Sequence, residues 1–194
     1  PGLNAATAGT GSEAAAAALK AQGAFRVLCA HRRGALGVEG LNAQIATLMT
    51  GCEKTPRFRA AGEWYPGRPI LVTENDRELR LYNGDVGVIL TGEGGGLAAW
   101  FEGPDGQPRS FSPTQLPAHE TVFAMTIHKS QGSQLDRVLV CLPEEPSPVL
   151  TRQLLYTGVT RARSHVTLVA TQESIEQALA RSVQRFSGLA ARLS

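Results

Sequence analysis

Short apolar runs recur along this chain with helix-patterned stretches between them, and that alternation constrains the fold more than any other feature. Residues 25–30, 121–125, 137–142 and 166–170 are such runs, and their length and apolar content predict buried strands. Ser12 is positioned to cap a helix over residues 13–20, with Gly23 to end it. Val38, Leu41, Ile45 and Leu48 repeat at helical spacing. Leu154, Leu155, Gly158 and Val159 share one face of a third helix over residues 151–161, and residues 174–193 predict one or two more. Strands alternating with helices predict an α/β fold around an open sheet.

From about residue 62 the pattern changes. Pro66, Pro69, Asn83-Gly84, Gly92, Gly94-Gly95-Gly96, Pro104, Pro108 and Pro113 punctuate short β-rich runs at 70–72, 86–90 and 97–101. Close-spaced strands with turn residues between them predict a small β-barrel. The expected organisation is therefore a first α/β part at residues 1–61, an all-β insertion at 62–118, and a second α/β part at 119–194. Residues 1–11, small and polar, are expected to carry no packed structure. The chain begins at Pro1 rather than Met, which suggests a piece of something longer.

A net charge of +2 gives no global basicity, so any nucleic-acid contact must come from a local patch. Cys29, Cys52 and Cys141 lack metal-ligand spacing and read as free thiols in a reducing cytoplasm. No apolar run approaches the roughly 20 residues that span a bilayer, and a cytoplasmic protein without membrane association is expected.

Two segments carry chemistry. Met125-Thr126-Ile127-His128-Lys129-Ser130-Gln131-Gly132-Ser133-Gln134 places hydroxyl, imidazole, ammonium and amide groups beside one Gly between two strand-like runs. Tyr156-Thr157-Gly158-Val159-Thr160-Arg161-Ala162-Arg163 ends a helical stretch with two Arg two residues apart. Polar groups at strand ends are where open α/β sheets build ligand sites, and an Arg delivered to a nucleoside triphosphate there can act as an arginine finger. A third basic loop, Arg32-Arg33-Gly34, follows the first strand.

These segments resemble motifs V and VI of the second motor domain of superfamily 1 helicases, most closely the RecD-like branch that includes the α subunit of exodeoxyribonuclease V. Residues 28–42 are similar to motif IV of that branch, and residues 68–87 to the start of the small barrel its members insert. The resemblance implies a RecA-like second motor domain of the P-loop NTPase type interrupted by an SH3-like barrel. It implies an ATP-dependent 5′-to-3′ DNA helicase acting in double-strand-break repair and recombination, with ATP and Mg²⁺ as cofactors. Arg161, with Arg32 or Arg33, would then reach the γ-phosphate; the residues do not choose between Arg32 and Arg33. Lys129, Ser130, Gln131, Gly132, Gln134 and Arg163 would lie toward the nucleotide, and Thr126 and His128 toward single-stranded DNA. The family commonly has an acidic residue at the position of Gln134, where an amide can still hydrogen-bond a ribose hydroxyl.

Trp64, Tyr65, Tyr82, Trp100, Phe101 and Phe111 are candidates for base stacking or, more simply, for the core of the insertion. No Gly-x-x-x-x-Gly-Lys-[Ser/Thr] segment and no acidic Walker B element occurs. The Mg²⁺ ligands would therefore lie in an upstream N-terminal RecA-like domain, this chain binding no metal and hydrolysing no ATP alone. Expected partners are single- and double-stranded DNA and, in an exodeoxyribonuclease V assembly, RecB-like and RecC-like subunits. Alternatives are a stand-alone RecD-like, Pif1-like or relaxase-linked helicase, or a non-catalytic RecA-like scaffold.

Overall fold

The computed structural model describes residues 11–51, 64–92 and 94–182. The unpacked segment expected at 1–11 and the helical continuation beyond 182 fall almost wholly outside that range, as does Cys52.

Helix α1 (Ser12–Ala24) leads directly into β1 (Phe25–Cys29), and α2 spans Val38–Gly51. The insertion carries β2 (Pro69–Val72), β3 (Val86–Thr91), β4 (Leu97–Glu102), β5 (Pro108–Phe111), a 3₁₀ turn at Pro113–Gln115, and β6 (His119–Thr121). The chain then returns through β7 (Ala124–Thr126), β8 (Leu135–Cys141), α3 (Arg152–Val159), β9 (Ala162–Val169) and α4 (Gln172–Ala180).

The first sheet is parallel with strand order β7-β1-β8-β9. Its register levels Cys29 with both Thr126 and Cys141, so β1, β7 and β8 end side by side. One face is sealed by α2, whose Val38, Leu41 and Ile45 pack on Val27, Cys29, Ala124 and Cys141. The other face buries Leu28, Val138, Val140 and Ile127 with Leu154 of α3 and Ala178 of α4. Asn42 of α2 holds the outer edge of β7 by a two-way amide clamp: its Nδ2 donates to the Ala124 carbonyl (3.0 Å) and its Oδ1 accepts from the Ala124 amide (2.8 Å). An edge strand would otherwise leave those groups unpaired.

The second sheet is antiparallel, ordered β5-β4-β3-β2-β6. Ile70, Val72, Leu81, Ile89, Ala99 and Phe101 form its core. Phe111 meets Phe101 edge-on at 5.9 Å between ring centroids. Phe101 explains Gly87, where a Cβ would lie 2.6 Å from its ring. Trp64 lies by the His119 ring (5.1 Å) and under the Arg68 guanidinium (4.9 Å), while Tyr82 is exposed. The Ala15 and Ala18 face of α1 packs against Val88 and Leu90, small side chains letting the helix come close.

The structure departs from the sequence expectations at four places, the first being Gly23, expected to end α1 but lying inside it, since the helix runs on to Ala24. Gly11, not Ser12, occupies the N-cap of α1, at φ 89° and with no side-chain capping bond; that left-handed conformation suits a glycine. Residues 121–125 are not one strand: Thr121 ends β6 in the second sheet and Ala124 begins β7 in the first, with the Val122 amide bonded to the Pro69 carbonyl at the crossing. Finally, β9 begins at Ala162 rather than residue 166. Its early residues Arg163, Ser164 and His165 are exposed at the sheet edge and carry no apolar signal.

Candidate functional site

The 127–134 segment descends from the end of β7 to the start of β8 as a chain of tight turns. The Ser130 amide bonds to the Thr126 carbonyl, the Gln131 amide to the His128 carbonyl, and the Ser133 amide to the Ser130 carbonyl. Gly132 sits at φ 88°, again a conformation glycine adopts freely. Ile127 is fully buried and its amide joins the Cys29 carbonyl, extending the β1 pairing by one bond. The Thr126 hydroxyl accepts from the Lys129 amide (3.2 Å). The Ser130 side chain is buried, its hydroxyl donating to the Ile127 carbonyl (2.7 Å), so Ser130 shapes the turn from inside. His128, Lys129, Gln131, Gly132 and Gln134 face solvent.

Beside this segment lies the loop after β1. It caps α2 with its own backbone: the Val38 and Glu39 amides bond to the His31 and Arg32 carbonyls. The loop is so tight that a Cβ on Gly37 would lie 2.3 Å from the Arg33 carbonyl oxygen. Helix amides spent in this way are not free to cradle an anion. Arg32 and Arg33 are exposed. Arg32 approaches Glu120 of β6 (3.9 Å), and Lys129 donates to the same carboxylate (2.6 Å). Arg33 lines a cleft of about 430 Å³ between the ends of β1 and β8, opposite Glu144 and Glu145.

The arginines of the second motif occupy the other end of the sheet. Helix α3 terminates at Thr160, and the Leu135 amide bonds to the Arg161 carbonyl, tying the start of β8 to the start of β9. The Arg161 guanidinium donates to the Thr157 carbonyl (3.1 Å), the Ser133 carbonyl (3.2 Å) and the Thr160 hydroxyl (3.4 Å). All three acceptors are neutral, and no carboxylate lies within ion-pair distance of Arg161 among the described residues. Arg163 donates to the Gln134 side-chain oxygen (3.3 Å) and lies 4.0 Å from Asp136.

The site residues therefore fall into two groups. Arg32, Arg33, Thr126, His128 and Lys129 gather where β1 and β7 end; Gln134, Arg161 and Arg163 gather where β8 and β9 begin. Six residues of β8 separate the level of Arg161 from that of Cys29 and Thr126, roughly 20 Å at strand rise. Within this chain Arg161 therefore stands apart from Arg32 and Arg33. What joins the two groups is the 127–134 segment itself. It is pressed against α3, where a Cβ on Gly158 would lie 3.2 Å from the Ile127 side chain.

Three side chains escaped the sequence reading. Glu120 lies in a strand too short to carry a motif. Gln22 of α1 is buried with both amide atoms unpartnered, beside a cleft of about 380 Å³ that Ser133, Gln134, Asp85 and Glu102 also line. Arg26 is buried in β1 and donates to the Val122 and Gln22 carbonyls; burial lowers its pKa to about 10, leaving it charged at neutral pH. No cluster of three or more metal-ligating side chains occurs among the described residues, and none of their helices is long and apolar enough to cross a membrane.

Residues 121–169, which contain both motif segments, match the UvrD-like helicase C-terminal domain family. The chain is 48% identical over 168 residues to the RecD subunit of the RecBCD enzyme of Mycobacterium tuberculosis, covering 87% of this chain and 28% of that protein. It is 37% identical over 141 residues to the ATP-dependent RecD2 DNA helicase of Deinococcus radiodurans, covering 73% of this chain and 19% of that protein. The chain thus spans less than a third of these relatives. A Bacteroides Pif1 helicase crystallised with ADP-AlF3 and single-stranded DNA superposes with a TM-score of 0.55 at 17% identity, over 87% of this chain and 44% of that one. That likeness establishes a helicase motor-domain fold.

Proposed function

From a chain homologous to the C-terminal region of RecD-type helicases, we propose that it is the C-terminal motor part of an ATP-dependent 5′-to-3′ DNA helicase, its nucleotide held against an N-terminal RecA-like domain. The observation that carries this reading is the Arg161 guanidinium, pre-aimed by three neutral acceptors with its charge uncompensated. A cation held in that way fits a phosphate, and the guanidinium and amide groups around it fit an anion rather than a metal ion. ATP supplies the phosphoryl group, and Mg²⁺ would be held by the N-terminal domain. Arg161 stabilises the charge that spreads over the equatorial oxygens during transfer. Gln134 would meet the ribose, and the hydrogen bond from Arg163 to its side-chain oxygen supports that orientation.

The other end of the sheet grips DNA. Thr126 and His128 face the backbone of a single strand. The placement of Arg32, Arg33 and Lys129 beside them, distant from Arg161, supports a role on the strand for these three cations in place of the nucleotide contact expected from the resemblance. The 127–134 segment, wedged on α3, transmits closure at Arg161 to Thr126 and His128, so that each hydrolysis cycle shifts the grip along the strand.

An SH3-like barrel for the insertion is part of this proposal, with its end moved from the expected residue 118 to Thr121, because β6 pairs with β2. In support, the first strand β2 pairs with both the second and the last, and a 3₁₀ turn precedes the last. RecB-like and RecC-like partners, double-strand-break repair and a cytoplasmic location complete the reading. Similarity to the RecD2 helicase of Deinococcus radiodurans favours a stand-alone enzyme as the second reading.

The test is ATP hydrolysis by the full-length protein across a titration of single-stranded DNA, with and without His128→Ala. DNA-stimulated turnover that falls in the variant while nucleotide affinity holds supports the assignment. No stimulation in the intact protein, alone or with its partner subunits, refutes it.

A further inference from the structure

We infer that Glu120 is a built-in competitor for the DNA backbone, holding Lys129 and Arg32 until a phosphate displaces it. The inference rests on the reading of the β1 and β7 ends as the DNA face and adds to it a residue of the insertion. Strand β6 pairs with β2 so that Glu120 lies opposite Leu71, while His119 and Thr121 lie opposite Val72 and Ile70. Leu71 belongs to the core shared with the parallel sheet, whereas Ile70 and Val72 belong to the core of the insertion. The alternation of a strand therefore turns Glu120 toward the motor sheet. On the opposite face, Thr121 accepts from Arg68 (2.9 Å) and His119 lies against Trp64 (5.1 Å).

On its own face Glu120 serves two cations with two oxygens, Oε1 to Lys129 (2.6 Å) and Oε2 to Arg32 (3.9 Å). These cations come from separate loops, and the carboxylate is what joins them. A phosphate presents the same anionic oxygens, so it competes for the same donors. The trio is accessible: the side chains of Arg32, Glu120 and Lys129 are 62%, 34% and 38% exposed. Ion pairs at such exposure are weak and exchange readily, which suits a contact that must open and reform as the strand moves. A carboxylate beside the strand also keeps the resting grip loose, and it ties that looseness to the position of the insertion.

The experiment measures binding of a fluorescent oligo-dT to the full-length protein by anisotropy across a salt series. It compares the parent, Glu120→Gln, Arg32→Gln/Lys129→Gln, and the triple variant. Glu120→Gln is isosteric and removes only the charge. We expect it to tighten binding about threefold to tenfold at low salt and to steepen the salt dependence, each phosphate contact freed contributing about 0.7 to the log–log slope. In the triple variant that gain disappears. Unchanged or weaker binding in Glu120→Gln overturns the inference, and so does an equal gain in the triple variant, which would reduce Glu120 to background charge. If the double variant itself binds with the affinity and slope of the parent, the DNA-face reading falls with it. A double variant that weakens binding beside an inert Glu120→Gln removes the competitor alone.

Discussion

Replacing Arg161 separates a catalytic guanidinium from a structural one, because the two roles differ in size. Its three hydrogen bonds run at 3.1, 3.2 and 3.4 Å to neutral acceptors in a half-buried setting. Donors of this kind contribute at most about 1–2 kcal/mol together once solvent screening is allowed for. An arginine finger contributes about 10³–10⁵ in rate, or about 4–7 kcal/mol. The catalytic effect therefore exceeds the structural one several-fold, and Arg161→Ala in the full-length protein should stay folded while losing turnover about a thousandfold or more. Arg161→Lys keeps the charge but cannot reach the Ser133 and Thr157 carbonyls at once, so it should recover only a small part. The assay is steady-state ATP hydrolysis at saturating oligo-dT, with DNA affinity and melting temperature measured on the same samples. Affinity should stay within about threefold of the parent and melting should fall by a few degrees. Normal turnover with lowered melting would make Arg161 a tether between α3 and β8. Normal turnover with a large loss of DNA affinity would place it in the strand path instead.

Two further changes probe the fold. Gln22→Met removes a buried amide with no partner at equal helix propensity; it should raise the stability of the 194-residue chain by about 1–3 kcal/mol, read as a higher urea midpoint, and a lower midpoint would mean that the amide has a partner in solution. Cys29 and Cys141 are buried on neighbouring strands, and the hydrogen bond to Cys141, together with burial, pushes the Cys29 thiol well above the ordinary range. In a Cys52→Ser background neither thiol should react with a disulfide reagent before global unfolding, and rapid labelling of the folded chain would show that β1 and β8 open.

Much of the architecture was legible because burial leaves a compositional mark. Strands β1 and β8 lie inside a covered parallel sheet, and their apolar runs announce it. Helix α2 repeats Val38, Leu41 and Ile45 because one of its faces lies on that sheet. Strand β9 hid its first half because the sheet edge leaves Arg163, Ser164 and His165 in solvent, where no apolar residue is required. The break at Val122 and Phe123 hid for the opposite reason: strands β6 and β7 both need β-forming residues, and nothing in a continuous run marks the change of sheet.

The candidate site divides along the same line. Residue types and local spacing belong to the chain itself, so the hydroxyl, imidazole and ammonium groups of residues 126–130 and the arginines at 161 and 163 could be singled out from the sequence alone. Which of them act together could not, because that depends on the ends of parallel strands. A parallel register sets Cys29 beside Thr126 and Cys141, and it sets Leu135 beside Ala162. Arg32 therefore stands with Lys129, through Glu120, rather than with Arg161, across a distance that no linear spacing encodes. Glu120 enters the site only through the pairing of β6 with β2. The sequence determined which polar and cationic groups are present and how they are locally spaced; the tertiary structure decided their separation to opposite ends of one sheet, with a single turn-rich segment between them, because strand register converts distant positions into neighbours and near ones into strangers.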